Sequence, residues 1–337
     1  MTLAGFSHVL IVVPCLNEAA NLPALLTKFC SNSPGALIVV VDGGSSDGSR
    51  AIVQDFSDRY DSVRLLDNPK RIQSAGINLA VRSFGQQREW LVRVDAHCIY
   101  SDNFVATLID AAREYRADSV VVPMITQGMA CFQIAVAAAQ SSVLGTGGAA
   151  HRHVGKGRYV DHGHHALIRL DRFYRAGGYD EDFSHNEDAE LDQRLLKLGA
   201  RLWLEPRGAV IYSPRETPQR LYRQYFNHGG GRARTVLKHH LKLKMRQRLP
   251  LMILPMACLA SIGVAGTMFN GNFIVLAIPV LAWAVLCVGY GFALALRARS
   301  WCTVAAGGAA AIMHLAWSAG YWSRTFTRRP VAQKALP

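Results

Sequence analysis

Three long apolar runs in the last third of the chain restrict its fold more than any other feature. They are LPLMILPMACLASIGVAGTMF, beginning at Leu249, then NFIVLAIPVLAWAVLCVGYGFALAL and WCTVAAGGAAAIMHLAWSAGYW. Each has about 20 residues with almost no charge, which is the length that crosses a bilayer core as a helix. We therefore predict a membrane region of two or three helices over residues 249–337. A re-entrant path stays open for the third run, which contains His314, and a buried hairpin of a soluble protein is the alternative for the region.

Positive charge is concentrated immediately before the first run. The net charge is +13, and RARTVLKHHLKLKMRQR, from Arg232 to Arg248, is rich in Lys and Arg. Basic residues that flank a membrane helix mark its cytoplasmic side and attract anionic lipid head groups. We predict a juxtamembrane segment, 231–248, that contacts membrane lipids and not nucleic acid, in a multi-pass protein of the cytoplasmic (inner) membrane. The third run is basic at both ends, so charge does not decide its orientation.

The start of the chain predicts a domain that stays in the cytoplasm. MTLAGFSHVLIVVPCLNE has only a short apolar stretch and no basic segment before it, unlike a secretory signal peptide. The seven cysteines are odd in number and form no Cys-x-x-Cys pair, which is typical of reduced thiols. We expect residues 1–230 to form a cytoplasmic catalytic domain with reduced cysteines.

The first 125 residues alternate between short apolar strands and amphipathic helices. The predicted strands are HVLIVVP, ALIVVVD, SVRLLDN and EWLVRVDA, and the predicted helices are NLPALLTKFC, SDGSRAIVQDFSDRY and QSAGINLAVRSF. This order predicts an α/β domain with a mostly parallel sheet and right-handed crossovers. A further strand, VDHGHHALI, and a helix, EDAELDQRLLKLG, follow later in the chain.

Polar residues are concentrated where these strands end. Asn17 and Glu18 follow the first strand, Asp42 ends the second, and Asp95 and His97 follow the fourth. Ligands of open α/β sheets bind beyond the carboxyl ends of the strands. A single Asp at a strand end is often a turn former, but the set predicts a binding site. The Gly-rich fingerprint of a dinucleotide-binding oxidoreductase does not follow the first strand.

These segments resemble the motif series of the family 2 glycosyltransferases, which have the GT-A fold. The likeness is carried by VPCLNE, VVDGGSSDGS, RVDAH and GGYDEDFSHNEDAELDQRLLKLG, and it covers roughly residues 8–215. Over its whole length, with QYFNHGGGRA and the apolar runs, the chain resembles the members that assemble succinoglycan-like exopolysaccharides. The resemblance implies a GT-A, Rossmann-like α/β domain and a sugar donor activated as a nucleoside diphosphate.

The resemblance also implies which residues contact the donor. Glu18 and Asp42 would hold the uracil and ribose of a UDP-sugar. The family often has two adjacent acidic residues at the second motif, where this chain has Asp42 followed by Gly43. Arg71 and Asn78 fall in the segment that usually lies over the nucleotide. Arg71 would contact a phosphate, and the alternative is a solvated surface arginine.

Asp95 and His97 occupy the place of the family's Asp-x-Asp motif, which implies a divalent cation that bridges the donor phosphates. Such a cation offsets the charge that develops on the departing UDP. Imidazole suits Mn²⁺ better than Mg²⁺, which prefers oxygen ligands. We predict a preference for Mn²⁺, with Mg²⁺ as the second choice. The alternative is that His97 only hydrogen-bonds a phosphate.

Asn186, Glu187 and Asp188 open a helix whose Leu191 and Leu195 share one apolar face. Asn186 is a favourable cap, and the helix dipole keeps a carboxylate in the first turn ionised, as a general base requires. By the resemblance, Asp188 is the catalytic base that takes a proton from the acceptor hydroxyl, and Glu187 supports it. Helix capping alone is the alternative.

A group of histidines lies between the two sets of motifs. Its members are His151, His153, His162, His164 and His165. Their number suggests a metal cluster, but they lack a regular ligand spacing. We expect an acceptor-side loop in which one of them touches the metal or a phosphate.

Together these features predict an inverting, metal-dependent transferase in which Asp188 activates the acceptor while UDP leaves from the opposite face. The resemblance implies UDP-glucose as donor, a β-1,3 linkage, a polyprenyl-diphosphate-linked glycan as acceptor, and other exopolysaccharide-assembly enzymes as partners. The nearest alternative transfers the sugar to bare polyprenyl phosphate. A nucleotidyltransferase and an inactive membrane scaffold are alternatives of other classes, but a scaffold would not need Asp42, Asp95 and Asp188 together.

Overall fold

The computed structural model describes residues 5–148 and 154–327. Its strands are β1 (Val9–Cys15), β2 (Leu37–Asp42), β3 (Val63–Asp67), β4 (Trp90–Arg93), β5 (Cys98–Ile99), β6 (Ser119–Val122), β7 (Met124–Thr126), β8 (Arg158–Val160), β9 (His164–Arg169), β10 (Leu202–Leu204) and β11 (Val210–Tyr212). Its α-helices are α1 (Leu22–Asn32), α2 (Ser49–Arg59), α3 (Gln73–Phe84), α4 (Phe104–Glu114), α5 (Cys131–Gln140), α6 (Val143–Thr146), α7 (Leu170–Arg175), α8 (Glu187–Lys197), α9 (Pro218–His239), α10 (Met245–Leu251), α11 (Ile253–Gly266), α12 (Ile278–Ala298) and α13 (Ala306–Phe326). Short 3-10 helices cover Pro206–Gly208, Gly271–Ala277 and Trp301–Ala305.

The larger sheet contains eight strands of the described residues, in the order β3–β2–β1–β4–β9–β6–β10–β8. Strands β1, β2, β3 and β4 pair in parallel, which confirms the predicted α/β arrangement. Both faces of β1 are buried, with Ile11 in one apolar cluster and Val12 in another, as in a parallel strand covered by helices on two sides. A smaller sheet has the order β5–β11–β7.

Strand β9 interrupts the parallel order. It runs antiparallel to β4 on one side and to β6 on the other. In this register His165 pairs with Val121 and His164 with Val122, near the end of β6. The first residues of β9 therefore lie at the carboxyl edge of the earlier strands, where the predicted site residues are.

The described residues divide into two compact units. The first comprises 5–125 and 154–212, and the second comprises 126–148 and 213–327. This division differs from the predicted boundaries 1–230, 231–248 and 249–337. Helix α9 continues from Pro218 to His239, so the chain has no break at residue 230. Helix α5, predicted to belong to the catalytic domain, packs instead against α13.

The second unit is helical. Within the described part of the chain, three helical stretches are long and apolar enough to cross a membrane: Met245–Gly266, Gly271–Ala298 and Trp301–Phe326. Helices α9 and α13 approach closely where both have glycine. A Cβ atom on Gly229 would lie 2.1 Å from the carbonyl oxygen of Trp317, and one on Gly320 would lie 1.9 Å from that of Phe226. Any larger residue would force these two helix backbones apart.

Two cysteines of the second unit are paired. A disulfide joins Cys131, at the start of α5, to Cys302, in the 3-10 helix before α13. The expectation that all cysteines are reduced is therefore wrong for this pair. Helix α5 packs against that 3-10 helix, which brings together two residues 171 positions apart. Cysteine count and spacing carry no information about such a tertiary contact.

Candidate active site

Asp42 ends β2, and its carboxylate organises the loop that follows. It accepts hydrogen bonds from the backbone amide of Gly44 (3.0 Å) and from the amide (3.1 Å) and hydroxyl (2.5 Å) of Ser45, and it pairs with Arg50 at 2.9 Å. Burial acts to raise the pKa of Asp42, but the bonds from Ser45 and Arg50 hold it below its usual value. Both oxygens thus already have partners within the protein, and the most direct effect of Asp42 is on the shape of this loop.

Arg71 and Asn78 have different environments. Arg71 has a left-handed backbone (φ 56°), and its guanidinium covers Gly44, whose Cβ atom would lie 3.4 Å from Nε. Arg71 therefore lies over the loop after β2. Asn78 is buried, donating to the carbonyl of Tyr179 at 2.7 Å and accepting from its amide at 2.8 Å. The amide of Asn78 thus fixes the segment around Tyr179.

Asp95 and His97 lie in the turn after β4, and each has a partner from another part of the domain. Oδ1 of Asp95 accepts a hydrogen bond from Nε2 of Gln73 at 2.9 Å. Nδ1 of His97 lies 3.1 Å from Oε1 of Glu18, whose other oxygen accepts from Asn21 at 2.7 Å. Burial acts to raise the pKa of Glu18, but His97 and Asn21 hold it below its usual value. Glu18 thus contacts a predicted metal ligand directly.

The donor set fits a cation that is bound together with a substrate. Among residues 5–148 and 154–327, no group of three or more His, Cys, Asp and Glu side chains is arranged to hold a metal. Mg²⁺ and similar ions are commonly held by one or two protein ligands while substrate phosphates and water complete the coordination. A carboxylate at Asp95 and an imidazole at His97 match that arrangement.

Arg93 is a buried residue of the candidate site that the sequence analysis missed. It is the last residue of β4, only 6% exposed, and its guanidinium faces three carboxylates. Nε lies 3.4 Å from Oδ1 of Asp95, and Nη1 lies 3.5 Å from Oε1 of Glu187 and in direct ion-pair contact with Oδ1 of Asp188. A buried cation is stable only when such partners compensate its lost hydration. Arg93 therefore links the predicted metal site to the predicted base.

Glu187 and Asp188 occupy the first turn of α8, as predicted, but the pKa values of their carboxyl groups are shifted in opposite directions. Burial and the charge of Asp188 raise the pKa of Glu187 to about 7. Burial also acts to raise the pKa of Asp188, but Arg93 and then His165 hold it far below its usual value. Asn186 stands at the cap position in a left-handed conformation, and its side chain makes no capping bond to the helix, contrary to expectation. The pKa of Asp188 is thus held low by Arg93 and the neighbouring histidines.

The described histidines approach the site along β9. His164 lies between the two aspartates, with Nε2 3.5 Å from Oδ2 of Asp95 and Nδ1 3.8 Å from Oδ2 of Asp188. Its pKa is lowered, mainly because it is buried. His162 and His165 both contact Asp192, while His151 and His153 lie outside the described residues. The sequence signal was the density of histidines, but their position depends on the antiparallel direction of β9.

The large, mainly parallel sheet with this carboxylate-lined edge has the GT-A fold. Residues 10–173 match the family model described as "Glycosyl transferase family 2". The chain is 46% identical over 326 residues to the succinoglycan biosynthesis protein ExoA of Rhizobium meliloti (strain 1021), covering 96% of this chain and 97% of that protein. The protein belongs to glycosyltransferase family 2.

The chain also has two more distant likenesses. A polyprenol monophosphomannose synthase of Mycolicibacterium smegmatis (strain ATCC 700084 / mc(2)155) is 27% identical over 113 residues, covering 33% of this chain and 43% of that protein. Among solved structures, the mannosyltransferase PcManGT from Pyrobaculum calidifontis, in complex with GDP-Man and Mn²⁺, matches with a TM-score of 0.58 and 17% identity, covering 96% of this chain and 88% of that one. At this identity the structural match supports the fold alone.

Proposed function

We propose that this protein transfers glucose from UDP-glucose, with inversion and in a β-1,3 linkage, to a polyprenyl-diphosphate-linked glycan of a succinoglycan-like exopolysaccharide. The observation that carries the proposal is the position of His164 between Asp95 and Asp188, 3.5 Å from the first and 3.8 Å from the second. A donor phosphate near Asp95 and an acceptor hydroxyl near Asp188 would lie close together. Direct displacement depends on that proximity.

Asp95 and His97 would hold a divalent cation together with the phosphate oxygens of the donor. When bound, the cation offsets negative charge on the departing UDP. Mn²⁺ is favoured over Mg²⁺ because one ligand is an imidazole. Glu18 would orient His97 through Nδ1, so that Nε2 is the nitrogen that faces the cation. Asp42 would act on the nucleotide through the loop that it shapes, and Arg71, which covers that loop, would contact a phosphate.

Asp188 would accept the proton of the acceptor hydroxyl. Its Oδ1 is engaged by Arg93, whereas its Oδ2 faces His164 and the Asp95 side of the site. We therefore assign Oδ2 as the atom that takes the proton. Glu187 has a pKa closer to neutrality, but by the resemblance it is the supporting residue. Replacing Glu187 and Asp188 one at a time distinguishes the supporting residue from the base.

Two observations support the proposed acceptor: the apolar helices and the similarity to a succinoglycan biosynthesis protein. The apolar helices and the basic segment at 231–248 support a multi-pass protein of the cytoplasmic membrane, with the catalytic unit on the cytoplasmic side. An enzyme so anchored meets lipid-linked acceptors at the membrane surface. The similarity to a succinoglycan biosynthesis protein supports an exopolysaccharide repeat unit as the product. Other enzymes of that assembly would be its partners.

The test is UDP release by the full-length protein in detergent with Mn²⁺, across a panel of UDP-sugars. Two acceptors are compared, a polyprenyl-diphosphate-linked galactose and bare polyprenyl phosphate. UDP release that requires UDP-glucose and the lipid-linked sugar supports the proposal. The partial likeness to a polyprenol monophosphomannose synthase makes bare polyprenyl phosphate the second candidate acceptor. UDP release with bare polyprenyl phosphate alone would mean that this lipid, and not the lipid-linked sugar, is the acceptor.

A further inference from the structure

A chain of buried polar side chains lies behind Asp188. His165, at 0% exposure, contacts Oδ1 of Asp192 through Nε2 at 2.7 Å. Its Nδ1 lies 2.7 Å from the hydroxyl of Tyr179 and 3.3 Å from Oδ1 of Asp188. Tyr179 in turn donates to the same Oδ1 of Asp188 at 3.2 Å. One imidazole therefore connects a second carboxylate to the proposed base.

Burial of the Asp192 carboxylate and the His165 imidazole costs desolvation free energy. Asp192 is fully buried, and its other oxygen lies 2.7 Å from Nδ1 of His162, at a position 30% exposed. Buried ion pairs lose much of their Coulomb energy to desolvation, and apolar residues of similar size are often as stable or more so. Stability alone does not explain why Asp192 and His165 occupy the core. The two carboxylates lie one turn apart on α8, so a single ring bridges both.

The hydrogen-bond partners fix the orientation of the ring. Because a carboxylate only accepts, Nε2 of His165 carries a proton and donates it to Asp192. Burial acts to lower the pKa of His165, but the charges of Asp192 and Asp188 raise it above its usual value. In the protonated form Nδ1 also donates, toward Tyr179 and Asp188. Arg93 of β4 and, on the segment of the ring itself, His162 and His164 are further charged or titratable groups near His165.

We propose that His165 is a positioning residue for Asp188 and that Asp192 orients it. Together with Arg93, the ring holds Oδ1, so that Oδ2 is presented to the acceptor hydroxyl. This inference rests on the proposed role of Asp188 as the base. It assigns His165 and Asp192 to the acceptor step and not to donor binding. Loss of the ring contact therefore lowers kcat while the affinity for UDP stays the same.

Two substitutions of His165 separate its two contacts. The amide nitrogen of Asn takes roughly the place of Nδ1, and that of Gln roughly the place of Nε2. His165→Asn therefore keeps a donor toward Asp188 and loses Asp192, whereas His165→Gln keeps Asp192 and loses Asp188. We expect His165→Gln to lower kcat about 100-fold, the scale of a misplaced catalytic group, and His165→Asn to lower it much less. In both variants the KM for UDP-glucose and the Kd for UDP are expected to stay within about twofold of the values of the unsubstituted protein. A tenfold change would correspond to about 1.4 kcal/mol of binding free energy.

Equal losses in both variants, or a rise in KM for the donor without a fall in kcat, would overturn the proposal. If either variant fails to fold, the isosteric Asp192→Asn is measured in its place. Asp192→Asn is expected to lower kcat with an unchanged Kd for UDP, and unchanged kcat overturns the role of the pair. Asp188→Asn is assayed alongside. If it stays active, the proposed base is wrong; if it is inactive while His165→Gln is fully active, only the positioning role is wrong.

Discussion

Nδ1 of His97 lies 3.1 Å from Oε1 of Glu18, so the turn after β4 is tied to the loop after β1. A carboxylate that contacts the second nitrogen of a metal-binding histidine fixes the ring and raises its basicity. Glu18→Gln is therefore expected to weaken Mn²⁺ binding in the presence of UDP about tenfold or more. Mn²⁺ titration followed by electron paramagnetic resonance measures this without turnover.

The matched control for Glu18→Gln is Glu181→Gln, which makes the same chemical change elsewhere. Glu181 pairs with Lys70 and Arg82 on the α3 side of the domain and has no contact with His97 among the described interactions. Its substitution should leave the Mn²⁺ affinity unchanged. Equal Mn²⁺ affinities in both variants and in the unsubstituted protein would exclude the orienting role of Glu18.

His97 is expected to set the preference between metals. His97→Asp replaces an imidazole with a carboxylate, and oxygen ligands suit Mg²⁺ better than nitrogen does. The ratio of kcat/KM with Mn²⁺ to that with Mg²⁺ should fall in the variant. Parallel assays at saturating concentrations of each ion give the ratio. If it does not change, His97 is not a metal ligand and the phosphate-binding alternative gains support.

Arg93 is expected to be essential for folding as well as for activity. Arg93→Met leaves Asp95 and Asp188 without their buried cationic partner, which destabilises a protein by about 3–5 kcal/mol. Arg59→Met is the control, since Arg59 also pairs with an aspartate, Asp55, but both of these side chains are more than half exposed. Exposed pairs contribute about 1 kcal/mol or less. Thermal unfolding in detergent should show a large decrease in unfolding temperature for Arg93→Met and a small one for Arg59→Met; equal decreases would contradict this account.

Stability should depend on pH through Glu187. Its pKa in the folded protein is about 7, against 4.5 ordinarily, so the folded state keeps a proton that the unfolded chain releases. The associated stabilisation is fully present below pH 4.5 and is lost as the pH rises through about 7. Glu187→Gln imitates the protonated form. Its unfolding temperature relative to the unsubstituted protein should therefore be higher at pH 8 than at pH 5.

Glu181→Gln serves again as the control, because the expected sign is reversed. Contacts with Lys70, Asn78 and Arg82 overcome the effect of burial and hold the pKa of Glu181 below its usual value. Its stabilisation is present above the unfolded-state pKa, so the variant should lose stability at pH 8 relative to acidic pH. A pH-independent difference for Glu187→Gln would show that Glu187 is not held protonated.

The sequence revealed the parts of the fold and site that depend on local pattern. Strand–helix alternation predicted the parallel sheet, and the motifs named Asp95 and Asp188 as site residues. In the structure His164 lies between these two aspartates. Arg93 was overlooked because it lies inside an apolar strand, where nothing local indicates which charges surround it. The contacts of His164 and His165 require the antiparallel direction of β9, which periodicity does not encode.

Other features of the structure that the sequence did not indicate also depend on tertiary contacts. Asn78 lies in a segment associated with the nucleotide, but its amide binds the backbone of Tyr179. The contact of Asp42 with the ribose stays a prediction; in the structure its oxygens are engaged by its own loop and by Arg50. The pairing of Cys131 with Cys302 depends on how two helical segments pack. None of these relations is expressed in residue spacing.

Acceptor-dependent UDP release by Asp188→Asn and Glu187→Gln, measured beside UDP binding, tests the central claim most directly. The proposed base predicts that Asp188→Asn releases less than a few per cent of the UDP released by the unsubstituted protein, because loss of a general base costs about 100-fold or more. The Asp188→Asn variant is expected to bind UDP with unchanged affinity, and Glu187→Gln is expected to keep substantial activity. Turnover by Asp188→Asn with loss of turnover in Glu187→Gln would contradict the account and assign the base to Glu187.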